Sequence, residues 1–340
     1  MAIVCALVGI GMYIDPYGVF HYDAIPIHSG EPNSRYVKTK YILNHPTEFD
    51  SFLFGSSRVG YIHVHQRNDE QHRWYNMTYS NAGLAEVKDT IECFLEEGVK
   101  PKQIMIGIDT IDDSNPYVHD GDLLRTMYPR TWQRKIAFYP QYMNPAVGME
   151  ALLTLEFVKG READSIREKY YTTGAIYKEG SGEFHSKEIQ KEYQEPSLEM
   201  SKGIENDLEV LRRIVALCED NQIQLILFST PLHESVYLSE VERGYILYIA
   251  EIAKIHDIYH FSGLNTICCD DSNYWEEIHF KKEVGDEILK TIFEDGNQKE
   301  EDGDLREHDE DKTYFGMIIH KENAEQYIDQ ALEEIRDNPL

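Results

Sequence analysis

The chain has no cysteine pattern that holds a metal or builds a disulfide framework. Its five cysteines, Cys5, Cys93, Cys218, Cys268 and Cys269, lack ligand spacing. Cys93 and Cys218 fall on apolar helical faces, where a free thiol behaves as a small hydrophobe, and we expect burial for all five. The adjacent Cys268 and Cys269 leave a strained vicinal disulfide as the less favoured alternative. No compartment follows from these residues.

Bases are scarce as well. Lysine and arginine number 33 against 61 acids, a net charge of −28, and such a field repels polyphosphates. Nucleic acid is therefore not an expected partner. The sequence lacks a phosphate-cradling Gly-x-x-x-x-Gly-Lys and a histidine pair at helical ligand spacing, so neither nucleotide, metal nor other cofactor is implied. No internal repeat is apparent.

A full membrane-spanning run is missing too. Ala2 to Ile14, "AIVCALVGIGMYI", is nearly uncharged but shorter than the roughly 20 residues that cross ~30 Å of hydrocarbon. No base precedes it and no A-x-A cleavage pattern follows. Two readings compete: a buried first strand or helix, or the outer half of a signal anchor whose basic start lies upstream of Met1. So little polarity favours the truncated anchor over 1–14.

What is present suffices for a full core, since 340 residues at 41% hydrophobic content support one large domain or two small ones. Asp15 to Asp50 is polar and weakly periodic, and reads as an extended lead-in. From Phe49 onward, short apolar runs alternate with amphipathic helices, the pattern of βαβ units and a parallel sheet. Strands are expected over Ser51–Gly55, Trp74–Tyr79, Gln103–Ile108, Gln222–Ser229 and Ile258–Phe261.

Leu84, Val87, Ile91, Phe94 and Leu95 share one helical face, with Gly98 near its end. Ile204, Leu208, Leu211, Val215 and Cys218 form a second stripe; Val284, Ile288, Leu289 and Ile292 form a third. The interval from Asp112 to Met200 breaks this rhythm and shows few clear helices. It reads as an insertion over the sheet's carboxyl edge, where open α/β sheets bind ligands. The chain thus divides into an anchor (1–14), an α/β domain (15–295, with the 112–200 insertion), an acidic linker (296–312) and a strand-helix segment (313–340). The linker follows from charge: Glu294 to Asp311 holds ten acids and only two bases. In the last segment "YFGMII" suits a strand, and Ala324, Tyr327, Ile328, Ala331, Leu332 and Ile335 line a helix.

The chemistry centres on "FLFGSSRVG", Phe52 to Gly60, where an apolar run stops at a glycine followed by two serines. A nucleophilic serine needs a base within about 3 Å and a group that orients that base. Of 14 histidines, His279 is singled out by position. "YWEEIHF" follows the last expected parallel strand on the same carboxyl edge, and Glu276, three residues before His279, can hold the imidazole. Arg58 either clamps an anionic substrate or pairs with a nearby carboxylate. His233, after "STP", faces the same edge as a candidate pocket residue.

These motifs resemble the GDSL or SGNH hydrolases. Gly55-Ser56-Ser57 matches the first block with Ser57 as nucleophile and Ser56 in place of aspartate, and Glu276-Glu277-Ile278-His279 matches the last with glutamate for aspartate. The order of "DPYGVFHY", "NAG", "STPLH" and "FGMIIHKEN" is similar to membrane-anchored envelope proteins of alginate acetylation and teichoic acid D-alanylation. The resemblance implies a three-layer αβα, flavodoxin-like fold with a central parallel sheet of about five strands. It also implies a serine esterase or O-acyltransferase with a Ser57, His279, Glu276 triad. Its substrate would be an acylated glycan or small acyl ester, and a membrane-bound acyltransferase its partner. The amides of Ser57 and Gly83 would hold the oxyanion.

One block departs from the family. Where Gly-x-Asn is expected the chain reads Gly107-Ile108-Asp109, so either Asp109 carries a proton, or Asn81 supplies the donor, or the oxyanion hole is impaired. An inactive scaffold or glycan-binding module is therefore the alternative. A cytoplasmic hydrolase is a third reading, requiring the first segment to be buried.

Overall fold

A computed structural model describes residues 1–21, 32–111, 122–158, 172–178, 183–186, 195–295 and 315–337. Its centre is a six-stranded sheet: β1 (Ser51–Phe54), β2 (Trp74–Asn76), β3 (Gln103–Ile108), β4 (Gln224–Ser229), β5 (Ile258–His260) and β8 (Met317–Ile319). The order is β2-β1-β3-β4-β5-β8, all parallel except β8, which runs antiparallel to β5. Two further strands, β6 (Tyr274–Glu276) and β7 (His279–Phe280), form a separate hairpin.

Side chains on a strand alternate between faces, and β1 shows the result. Phe52 and Phe54 enter one core cluster, with α3 (Leu84–Glu96), α6 (Lys202–Asp220), α7 (Glu234–Val241), α8 (Tyr245–Ala253) and α10 (Ala324–Asp337). Leu53 enters another on the opposite face, with α9 (Lys282–Lys290). Both faces are covered, so the strands are buried along most of their length, as parallel sheets require. This is the three-layer α/β arrangement expected. The helical stripes are core, with only Val215 and Leu95 among the first two left partly exposed. Gly98 ends its helix in the left-handed region, at φ +83°.

Several expectations are corrected. The lead-in contains a helix, α2 (Ser34–Asn44), capped by Asn33, whose side chain accepts from Tyr36 N–H. Its buried face carries Arg35, Lys38 and Thr39 along with Tyr36, Val37 and Ile42, so its apolar periodicity is weak and the sequence does not reveal it. The 112–200 interval holds α4 (Trp132–Tyr142) and α5 (Pro145–Val158). Ala2–Ile14 is a helix, α1, largely exposed but with Gly11 and Ile14 buried. All five cysteines are free, and Cys5 and Cys269 are exposed, contrary to the burial expected of them. Among the described residues no helix is long and apolar enough to cross a membrane. The acidic linker over 296–312 lies outside the described residues.

Because β1, β3, β4 and β5 run parallel, their last residues open on one edge. Residues 172–178 reach that edge: Ile176 N–H donates to Gly60 O at 2.7 Å. Lys38, wholly buried, donates to the carbonyls of Asn76, Thr78 and Gly174 at 3.1, 3.0 and 2.6 Å. Burial lowers its pKa well below the usual lysine value.

Candidate active site

Strand β1 ends at Phe54. Gly55 follows with a φ of +151° that suits glycine, and a Cβ there would lie 2.8 Å from Val59 Cγ1. Ser56 then turns the chain. Its Oγ accepts from Arg58 N–H at 3.3 Å and caps the short 3₁₀ helix Ser57–Tyr61. Serine is a good cap, and this one fixes the turn that follows the strand. Two buried residues of the β2 segment hold that turn from below. Asn76 donates both amide hydrogens, to Val59 O and Ile62 O at 2.7 and 3.0 Å, and Thr78 Oγ1 donates to Ser56 O.

The turn presents Ser57 to His279, with Oγ 2.7 Å from Nε2. The other imidazole nitrogen, Nδ1, is bonded to Glu276 Oε1. Glu276 and His279 are paired residues of the β6–β7 hairpin, so the acid reaches the base across a two-residue turn formed by Glu277 and Ile278. The Tyr61 ring lies edge-on to His279, 5.7 Å between centroids. Its hydroxyl pKa is pushed up to about 12, by burial first and by the Glu276 charge second.

The base of the hairpin has its own support. His233 Nε2 lies 2.9 Å from Asp271 Oδ1, His233 Nδ1 is 2.8 Å from Ser235 Oγ, and the ring packs edge-on against Tyr274 at 5.1 Å. His233 is fully buried with both nitrogens engaged, so it braces the strand that leads to Glu276 rather than offering a free ring to a ligand.

The side where an oxyanion would form is less regular. Among the described residues the Ser57 amide makes no hydrogen bond, which leaves it available. The Gly83 amide is taken: it donates to Glu86 Oε2 at 3.1 Å at the start of α3. Glu86 in turn is paired with the buried Arg35, at 2.6 Å to Nε and 2.9 Å to Nη2. Asn81 stands exposed in the left-handed region at φ +50°, and its carbonyl accepts from Arg125 at 3.1 Å.

Asp109 has partners of its own. Thr230 Oγ1 donates to its Oδ1, and its Oδ2 lies 3.6 Å from Arg58 Nη1. Both charged side chains are nearly buried, at 12% and 11% exposure. Of the two expectations for Arg58, pairing with a carboxylate is therefore realised. The Asp109 carboxylate faces a guanidinium rather than standing alone. A cleft lined by Gly55, Ala82, Gly83, Gly107, Asp109 and Thr110 lies on this side.

Sequence reasoning passed over Arg35, Lys38, Asn76, Thr78 and Glu86, which hold the loops behind the site. Only Glu86 left a readable sign: it stands three residues after the helix cap Gly83, the spacing of a capping box. Among the described residues no group of three or more His, Cys, Asp or Glu could hold a metal ion. In comparisons with known proteins, no protein family, no curated protein and no solved structure matches this chain.

Proposed function

We propose that the chain is a serine-dependent ester hydrolase or O-acyltransferase acting on an acylated cell-envelope polysaccharide or a related acyl ester. The observation that carries this reading is the 2.7 Å approach of Ser57 Oγ to His279 Nε2, with Nδ1 held by Glu276. In a neutral imidazole with Nδ1–H donating to the carboxylate, Nε2 is free to accept the serine proton.

Ser57 Oγ attacks the acyl carbon as its proton passes to His279 Nε2. The carbon–oxygen bond of the ester then breaks, and His279 returns the proton to the departing alkoxide. In the second half, water or a sugar hydroxyl loses its proton to His279 and attacks the acyl-serine; the acyl–Oγ bond breaks and His279 returns the proton to Ser57 Oγ. Water makes the protein an esterase; a sugar hydroxyl makes it a transferase. The Ser57 amide supplies one oxyanion donor, and the Asn81 side chain is the second candidate. Acetyl is the preferred group on the strength of the GDSL or SGNH resemblance. By the same resemblance the protein works with a membrane-bound acyltransferase on the extracytoplasmic face, held there by the uncharged α1.

One observation favours a second reading. Because the Gly83 amide is occupied and an acidic residue stands where the family carries asparagine, an inactive scaffold or glycan-binding protein fits the same fold. A fluorophosphonate probe separates the two: labelling of the wild type that is lost in Ser57→Ala is expected. A wild type that stays unlabelled from about pH 6 to about pH 9, across the titration of an ordinary imidazole, would leave the scaffold reading in its place.

A further inference from the structure

Most large apolar side chains left exposed among the described residues stand on three helices: α1, α4 and α5. On α4, Trp132 and Ile136 are 67% and 65% exposed, one turn apart. Phe138 and Tyr142, on another side of the helix, bury against the core around Tyr36. Helix α4 therefore has two apolar stripes, and only one is used by the fold. On α5, Met149, Leu152 and Leu153 form an exposed stripe at helical spacing, while Val147, Gly148 and Ala151 are buried.

Helix α1 packs on α5 backbone to backbone. A Cβ on Gly148 would sit 1.9 Å from Leu7 O, and one on Gly11 would sit 3.0 Å from Gly148 N. Such contact through small residues suits helix pairs in lipid, where close packing replaces the hydrophobic effect between helices. The rest of α1 is bare: it carries no charged side chain, and Met1 to Ala6 are exposed. A helix apolar on every side is stable in hydrocarbon, not in water.

Charge identifies the occupant. The chain carries −28 overall, yet α4 has no acid and two bases, Arg134 and Lys135, both exposed; α5 carries the acids Glu150 and Glu156, of which Glu150 accepts from Tyr17 OH at 3.0 Å, so the attraction to anionic lipid falls to α4. Trp132 on α4 and Tyr13 on α1 are amphipathic rings of the kind that settle at headgroup level. Apolar stripes with bases and interfacial aromatics match a helix lying in an anionic bilayer surface.

We infer that α4 and α5 form, with α1, a lipid-binding face that docks this protein on an anionic bilayer. This rests on the membrane placement proposed above, but not on the chemistry at Ser57.

The test is sedimentation of the full chain with phosphatidylcholine vesicles containing or lacking about one third phosphatidylglycerol, enough to give the surface a negative potential. Wild type is expected to bind both, and the anionic vesicles more tightly. Leu152→Glu with Leu153→Glu should lower binding to both about tenfold or more, since it places charge where hydrocarbon is met. Arg134→Glu with Lys135→Glu, at exposed positions, should lower binding to anionic vesicles alone by at least about thirtyfold at low salt. Unchanged binding in the Arg134/Lys135 variant, or in a folded Leu152/Leu153 variant, would overturn the proposal and leave α1 as the sole contact. A wild type that ignores vesicles but dimerises with rising concentration would overturn it in favour of a second copy. Hydrolysis of p-nitrophenyl acetate by the same preparations reads Ser57 separately: its absence throughout removes the esterase reading without touching the vesicle result.

Discussion

Glu276 and His279 face each other as paired residues of one hairpin, and that register sets a carboxylate on the imidazole Nδ1. The carboxylate and imidazole thus meet locally, on a segment of four residues, while Ser57 comes from 222 positions away.

Replacement of Glu276 by Gln preserves shape but removes the charge that favours Nδ1–H, so ester turnover should fall between about a hundredfold and about ten-thousandfold. Glu277 sits exposed in the turn between the two partners, and Glu277→Gln should leave kcat within about a factor of two. Steady-state hydrolysis of an acetyl ester by the two variants decides this; equal losses would show that the wrong acid has been named.

Arg35 and Glu86 make a pair with side chains at 0% and 1% exposure, and Arg35 Nη2 also donates to Ser80 O at 2.8 Å. Either single change, Arg35→Met or Glu86→Leu, strands a buried charge and should cost about 3–5 kcal/mol, whereas the double variant should recover most of that. Urea unfolding of the three variants gives the cycle. Losses that simply add would mean that the two charges act independently.

His260 is wholly buried between Ser229 Oγ at 2.9 Å and Tyr327 OH at 3.2 Å, and burial pushes its pKa down to about 3. In the unfolded chain the same imidazole titrates near ~6.5. Below that pH the unfolded state takes up a proton that the folded state refuses, so stability falls as pH drops from about 6.5 toward 3. The loss attributable to His260 is about 2 kcal/mol between pH 6.5 and 5. Urea midpoints at about pH 7 and about pH 5, on either side of the free imidazole pKa, should move less in His260→Asn than in wild type. Equal shifts would assign the acid sensitivity to carboxylates alone.

How much of this was legible depended on whether a residue's partner lies nearby in sequence. The β3 boundaries at Gln103 and Ile108 agree with those expected from the sequence, because an apolar run bounded by polar residues marks a buried strand. The expected strand Trp74–Tyr79 is three residues longer than β2: Met77 N–H and Tyr79 N–H still donate to Leu53 O and Gly55 O at 2.7 and 3.1 Å, but regular pairing stops at Asn76, whose side chain accepts from Thr78 N–H. Helix α2 was missed because Arg35 and Lys38 occupy buried positions where the periodic pattern expects hydrophobes.

The sequence by itself determined the alternation of Phe52, Leu53 and Phe54 that splits the core between two faces. It also determined the helical stripes and the Glu-x-x-His spacing that lets a carboxylate reach its imidazole across a short turn. These are periodicities and short-range geometry, set by backbone rise and side-chain direction. The tertiary structure alone decided that the Gly83 amide goes to Glu86, that Asp109 faces Arg58 and Thr230, and that Lys38 is buried among three carbonyls. Buried polar groups must find partners wherever the fold brings them, and pairing across tens of residues leaves no period to read.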